Sequence, residues 1–261
     1  MQLAQMAWME IQALDRSTVV IAPFGAMEQH GPHLAMQTDS LIAGELARRV
    51  DDACGGRLLV LPAQWLGLSL HHMEFCGTLS ASVDTYINMA SEILGSIAQA
   101  GFRKIIALNA HGGNVSALDV ALTKSRTRHP ESRILHVTYW NLARQRLAEL
   151  RESAAGGMGH ACELETSLVL AVDPALVRMD KAKPDGRWAV PAYFAQDMLI
   201  GGAVSTARWF NEVSEEGAVG DPRTASAAKG EIFFAAIVQS LADLVVSFER
   251  GDVDTFRKVG C

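Results

Sequence analysis

Glu28, His30, His33 and Asp39 place four groups able to ligate a metal in one short stretch, Gly25-Ala26-Met27-Glu28-Gln29-His30-Gly31-Pro32-His33 closed by Thr38-Asp39. Carboxylate oxygens and imidazole nitrogens suit zinc, manganese or ferrous iron, and no thiolate is needed. The stretch follows the apolar run Thr18 to Phe24, which reads as a buried strand, and Asp39 opens the helical pattern Ser40 to Ala47. Open α/β sheets place their active sites at such strand ends, and rigid elements on both sides suit a preorganised ligand set. The chemistry this indicates is metal-assisted hydrolysis. By itself the segment is explained equally well as a polar loop.

Two further clusters shift that balance. Lys104 to Leu108 reads as another buried strand, and it runs into Asn109-Ala110-His111-Gly112-Gly113-Asn114 before a helix begins near Val115. A histidine at a strand's end followed by paired glycines fits a tight turn that lets backbone and imidazole approach a bound group. The third cluster, Gly159-His160-Ala161-Cys162-Glu163-Leu164-Glu165-Thr166-Ser167, precedes the apolar stretch Leu168 to Val172. Each cluster has a bland explanation: a polar loop, a glycine turn with an incidental histidine, acids favoured at a helix N-terminus. Three such coincidences in one chain point to a site.

E-Q-H-G-P-H-L followed by T-D, then N-x-H-G-G-N, then H-A-x-E-x-E-T-S, resemble the motifs of the creatininase (creatinine amidohydrolase) family. The resemblance runs from about Val19 to Gly220-Asp221-Pro222 and the last helix, most of the chain. It implies an α/β fold with two divalent metals (Zn, Mn or Fe) at the C-terminal edge of its sheet. A water or hydroxide bridging them would hydrolyse a C–N bond of a cyclic or formyl amide. Residue by residue it implies Glu28 and His111 on one metal, His30 on the other, and Asp39 bridging both. Two metals roughly 3.5–4 Å apart acidify a shared water and polarise the scissile carbonyl.

The chain departs from the creatinine-hydrolysing enzymes, which have H-Y-E where His111-Gly112-Gly113 stands. The aromatic that contacts substrate and the acid that ligates the second metal are both missing, and Glu165 is expected to complete that metal's shell instead. The H-G-G form resembles family members acting on formylamino-pyrimidines and on peptide-derived cofactor precursors, so creatinine is not the expected substrate. His160 matches a family histidine beside the substrate, where it would protonate the departing nitrogen with an unperturbed pKa of roughly 6.5; a supporting position behind the ligands is the other reading. Glu163 is either solvated or orients His160. Ser69-Leu70-His71-His72-Met73-Glu74-Phe75-Cys76-Gly77-Thr78 resembles the family loop S-x-E-H-x-x-F-P-G-T, with His71 replacing the acid and Cys76 the proline. Ser69, His72, Gly112 and Gly113 are therefore the expected substrate contacts, with His160 and Glu165 as the catalytic residues.

The expected activity is hydrolysis of a small cyclic amide or formamide. The alternatives are trimming of a cofactor-precursor peptide and, outside catalysis, a metal-binding assembly protein without turnover. A net charge of −6 argues against a nucleic-acid partner, which calls for a basic footprint. Cys54, Cys76, Cys162 and Cys261 form no C-x-x-C pair and are expected as reduced thiols. The first residues lack the pattern of a secretion signal, and no apolar run is read as approaching the roughly 20 residues that span a bilayer. The chain is accordingly expected in the cytoplasm, without a membrane partner, acting on a small molecule.

The elements that must position these residues follow from hydrophobic period. Strands are expected near 18–24, 58–62, 104–109 and 133–138, alternating with helices near 39–51, 84–100 and 115–128. That alternation predicts a mainly parallel sheet covered by helices on both faces, a three-layer α/β/α fold in one domain over 1–261. An exposed helix is expected over Arg144 to Ser153, a flexible approach over Ala154 to Met158, and a last helix from about Thr224 to Phe248. Residues 181–222, with Trp188, Tyr193 and Trp209, show little periodicity and are expected to cover the site or to meet neighbouring subunits. The resemblance implies a homo-oligomer, a hexamer in the family.

Overall fold

Our computed structural model describes residues 1–187 and 193–252, so Trp188 and Cys261 lie outside the described residues. A short helix α1 (Trp8–Ala13) precedes β1 (Val19–Phe24), followed by α2 (Thr38–Ala53), β2 (Leu59–Val60), α3 (Val83–Gln99) and β3 (Lys104–Asn109). Then come α4 (Val115–Arg128), β4 (Arg133–Thr138), α5 (Tyr139–Leu142), α6 (Arg144–Leu150), β5 (Met158–His160), α7 (Glu163–Val172), β6 (Val219–Gly220) and α8 (Ala227–Arg250). The main sheet has the order β2-β1-β3-β4, all parallel, as expected from the strand–helix alternation. β5 and β6 form a separate antiparallel pair that the sequence period does not announce, because each is too short to show one.

The alternation of side chains along β1 divides the core in two. Val19 and Ile21, with Ile106 and Leu108 of β3, face the layer of α2, α7 and α8. Val20, Ala22 and Phe24, with Ile105 and Ala107, face α3 and α4. A strand buried on both faces reads as an unbroken apolar run, which is how β1 and β3 read in the sequence. The sheet order reverses between β1 and β3, where the chain leaves one strand toward each side. The crevice at that switch point is where open parallel sheets hold ligands, and the Glu28–His33 and His111 loops both enter it.

Several expectations need correcting. The strand expected over 58–62 is only Leu59–Val60 in the ladder, although Leu61 N–H still donates to Ile21 O at 2.9 Å. Pro62 has no N–H with which to continue. The helix expected over Arg144 to Ser153 ends at Leu150 and is preceded by the separate turn α5. The last helix begins at Ala227, where the Ser226 side chain accepts from Lys229 N–H, and reaches Arg250. Contrary to the sequence reading, this 24-residue helix is long and apolar enough to cross a membrane by length and composition. It packs instead along α7 and α2, burying Phe233, Phe234, Ile237, Leu241 and Val245.

Candidate metal centre

Glu28 and His30 leave β1, Asp39 sits in the first turn of α2, His111 follows β3, and Glu165 sits in the first turn of α7. All are buried, and three sets have ligand atoms within 4.8 Å of one another: Glu28, Asp39 and His111; His30, His160 and Glu165; and Glu28, His72 and His160. Asp39 links the first two sets, with Oδ1 3.0 Å from His30 Nε2 and Oδ2 3.0 Å from His111 Nδ1. His33, the fourth potential ligand of the first loop, is not in these sets. Its Nε2 meets Thr166 Oγ1 at 3.0 Å, and burial first, then the nearby His30, lowers it to about 4.

The donor set fits a cationic centre. Both oxygens of Glu28 and Oδ2 of Asp39 are buried without a hydrogen-bond partner, although ring nitrogens stand 3.0–3.2 Å away; those approaches lack hydrogen-bond alignment. Buried carboxylates left this way are costly unless they coordinate a cation. His30 Nδ1 donates to the Glu28 carbonyl at 3.1 Å and His111 Nε2 to the Leu68 carbonyl at 3.1 Å, so each ring turns its other nitrogen into the site. Anchoring of one ring nitrogen while the other faces the centre is the usual support of metal-binding histidines. Burial opposes a proton on His30, yet Asp39, with Glu165 and Glu28, holds it up at about 9. His111 is likewise held well above its ordinary value against burial, by Glu28 and Asp39. Burial pushes Glu165 up to about 7, with His30 opposing and Asp39 adding to the rise. The centre calls for positive charge.

The neighbouring histidines differ. His160 donates Nε2–H to the Gln29 carbonyl at 2.7 Å, which leaves its Nδ1 lone pair facing the site, and burial and His30 keep the ring neutral. The proton-donor role expected of it therefore requires that it first accept a proton. Ala161, at φ 52° the one non-glycine in the left-handed region among the described residues, turns the chain so that its N–H donates to Glu165 Oε2 at 2.6 Å. Holding a residue there costs of order 1 kcal/mol and places His160 and Glu165 side by side. Glu163 is neither solvated nor in contact with His160. It is fully buried and accepts from Glu152 N, Ser153 N and Lys229 Nζ at 2.9, 2.7 and 3.0 Å. Cys162 is buried at the start of α7, and burial, with Glu165 next, raises its thiol well above the ordinary value, as suits an inert cysteine.

Of the expected substrate contacts, Gly113 and His72 lie beside the centre. A Cβ on Gly113 would stand 2.5 Å from His111 Nε2 and 2.7 Å from His71 Cε1, and closer still to the Leu68 carbonyl. No acid can sit there, which explains physically why a ligand must come from elsewhere. Gly112 is exposed with open space around it, and Ser69 is buried against His111 Nε2 at 3.4 Å rather than facing a cavity. Next to Gly113 opens a cavity of about 610 Å³ lined by Leu68, Leu70, His71, Arg208, Trp209 and Phe210, among others. His71 stacks on His111 with ring centroids 5.6 Å apart, and Phe210 covers His72 and His160 at 3.9 and 4.7 Å. Of the stretch 181–222, Phe194, Ala195 and the run from Val204 to Phe210 thus line the cavity beside the site, the first of the two roles expected for it.

Sequence reasoning missed Phe210, Gln29, Asn109 and Asn114. Asn109 brackets the His111 backbone, Nδ2 donating to His111 O at 2.8 Å and Oδ1 accepting from His111 N at 3.1 Å, while Asn114 ties that turn to Gly25 O and Leu68 N. Both asparagines stand in N-x-H-G-G-N, so their signal was present; Phe210 sits in an unpatterned stretch and gave none.

The family model described as Creatininase: Creatinine amidohydrolase matches residues 4–245. The chain belongs to the creatininase family of hydrolases. A "Mycofactocin precursor peptide peptidase" of Mycobacterium tuberculosis is 33% identical over 230 residues, covering 85% of this chain and 82% of that protein. The "Creatinine amidohydrolase" of Pseudomonas putida is 27% identical, covering 93% and 95%. A crystal structure of creatinine amidohydrolase superposes with TM-score 0.78 at 25% identity, covering 98% of both chains. A structure described as "Creatininase Mn" gives 0.77 at 26% identity, covering 94% and 96%. A zinc-zinc creatininase variant gives 0.75 at 26%, also covering 94% and 96%.

Proposed function

We propose that this chain is a two-metal hydrolase that cleaves an amide C–N bond in a peptide-like substrate with an apolar side chain. The observation carrying the reading is the apolar cavity of about 610 Å³ whose floor, His71 and Gly113, abuts the ring of His111. That volume lies within the roughly 300–1,000 Å³ of sites that bury drug-sized ligands, far more than a small cyclic amide or formamide fills. The peptidase relatives support the same choice.

Glu28, Asp39 and His111 would hold one divalent ion, and His30, Asp39 and Glu165 the other. When bound, such ions polarise a carbonyl and lower the pKa of water, zinc and manganese both matching the ligand types. The chain's own groups do the rest. His160 takes the proton of the attacking water at Nδ1, the lone pair left by its bond to Gln29. As the new C–O bond forms and the C–N bond breaks, His160 returns that proton to the departing nitrogen, giving a carboxylic acid and an amine that leave as carboxylate and ammonium. Phe210 excludes bulk water from this exchange. The test is a hydrolysis screen with metal-loaded protein over short peptides, hydantoins, formylamino-pyrimidines and creatinine. Turnover of peptides with apolar residues at the cut is expected. Faster turnover of the small rings or formamides would overturn the peptide reading and restore the cyclic-amide one. Light scattering tests the hexamer.

A further inference from the structure

The side-chain amide of Gln29 is held by two backbone groups whose polarity cannot change. Gly31 N–H donates to Oε1 at 2.9 Å, and Nε2 donates to the Gly217 carbonyl at 2.9 Å. A flipped amide would set donor against donor and acceptor against acceptor, so its orientation follows from the network. Gly217, at φ 90°, has no Cβ, and one added there would run into Gln29 Oε1. The remaining Nε2 hydrogen points at His72 Nδ1, 2.7 Å away.

His72 Nδ1 must therefore accept, which puts the ring proton on Nε2, 3.2 Å from Glu28 Oε1. An imidazolium would need a second proton on Nδ1, facing the amide's own N–H. The main chain of the same residue sets the other ring, because His160 Nε2–H is committed to Gln29 O at 2.7 Å. The approach of Gln29 Nε2 to His160 Nε2 at 3.3 Å is donor against donor and no bond. Three histidines, His30, His111 and His160, turn an anchored ring's free nitrogen to the centre; His72 alone turns an N–H.

We infer that Gln29 is a positioning residue that sets His72 and His160 in opposite tautomers, one presenting a proton and the other a lone pair to the same space. His72 then stands apart from the ligands despite its spacing from Glu28 and His160. Its Nε2–H is a hydrogen-bond donor to the substrate oxygen as negative charge builds there, and the Phe210 ring at 3.9 Å holds its plane. The catalytic half of this inference rests on the hydrolase reading, whereas the tautomers do not.

The test is nitrogen NMR of ¹⁵N-histidine-labelled, metal-loaded protein, with the two rings assigned through His72→Gln and His160→Gln. His72 is expected to show a protonated Nε2 and a bare Nδ1; a protonated Nδ1 overturns the inference, whether or not any substrate is found. Gln29→Glu replaces the donating amide by an acceptor, so the His72 proton should move to Nδ1. The peptide kcat should then fall about 100-fold, the loss typical of one oxyanion donor, with KM within about threefold and metal content unchanged. An unchanged kcat, or a loss of metal with the activity, refutes the donor role of His72. Should that variant fail to fold, the wild-type spectrum still decides the tautomers. A protein that keeps the expected spectrum but turns over none of the panel fails the functional reading alone.

Discussion

At the scale of the residue, the centre is a set of carboxylates with too few protons and two glycines with opposite freedom. Asp39 touches both His30 and His111, so on the two-metal proposal Asp39→Asn would remove the charge that serves both ion positions. Metal content should fall from about two per chain toward zero, and turnover by at least about 1,000-fold; retention of both ions with activity would refute the bridging role. Gly113→Ala is the sharper steric test. Its Cβ would press on His111 Nε2 and the Leu68 carbonyl together, while at Gly112 a Cβ meets nothing within 4 Å. We expect Gly113→Ala to lose metal and at least about 100-fold in turnover, and Gly112→Ala to keep its metal, as elemental analysis and kinetics will show. The candidate ligands were legible because Glu28, His30 and Asp39 are close in sequence. The partners of Gln29 were not, since His72, His160 and Gly217 come from three distant segments of the chain.

At the scale of the element, the site depends on how α7 is pinned. Lys229, near the start of α8, reaches Glu163 at 3.0 Å and Glu152 at 2.9 Å and donates to Thr224 O at 2.7 Å. This joins two helix N-termini to the 151–154 turn just ahead of His160. Lys229→Met leaves the buried Glu163 carboxylate without its cation and should cost about 3 kcal/mol in urea unfolding, because breaking a buried pair strands a charge. Adding Glu163→Gln should recover part of that loss; no recovery would mean that Lys229 acts through packing alone. Burial would raise Glu163, but the hydrogen bonds from Ser153, Glu152 and Lys229 outweigh it and hold the carboxyl below its ordinary 4.5. A depressed folded value means that this stability is present above about pH 4.5 and disappears as pH falls through that lower value. The acid limb of the stability curve should therefore flatten in Glu163→Gln. The strands β1 and β3 were readable because burial on both faces leaves an unbroken apolar run, and helix α3 because a clear helical period marks it. β5 and β6 are two or three residues long, and their pairing depends on Gly220 meeting Met158 across some sixty residues, which no local pattern encodes.

At the scale of the whole molecule, the two-metal proposal has protons and metal competing for one buried charge deficit, and that competition would set how stability and loading respond to pH. In the metal-free protein Asp39 and its neighbours raise His30 from 6.5 to about 9. A raised folded value contributes stability that is complete below about pH 6.5 and is lost as pH climbs through about 9. A divalent ion must displace that proton, so metal affinity should rise by up to about tenfold per pH unit for each proton released over the same interval, then level off. The two forms thus respond differently: between pH 6.5 and 9 the chelated protein weakens while the loaded one stays nearly level, the gain in metal affinity offsetting the loss. At neutral pH, saturating metal at about 100 times its Kd adds roughly 2.7 kcal/mol, or some 5–10 °C in melting temperature for a chain of this size. Chelation should not unfold the protein, because the sheet core of Val20, Ile21, Ile105 and Ile106 lies below the ligands and is closed without them. Calorimetric titration with zinc or manganese at pH 6, 7 and 8, in buffers of different ionisation enthalpy, measures both affinity and protons released. An affinity that is flat across that range, with no proton release, would show that the histidine rings are not where the cation's charge is taken up.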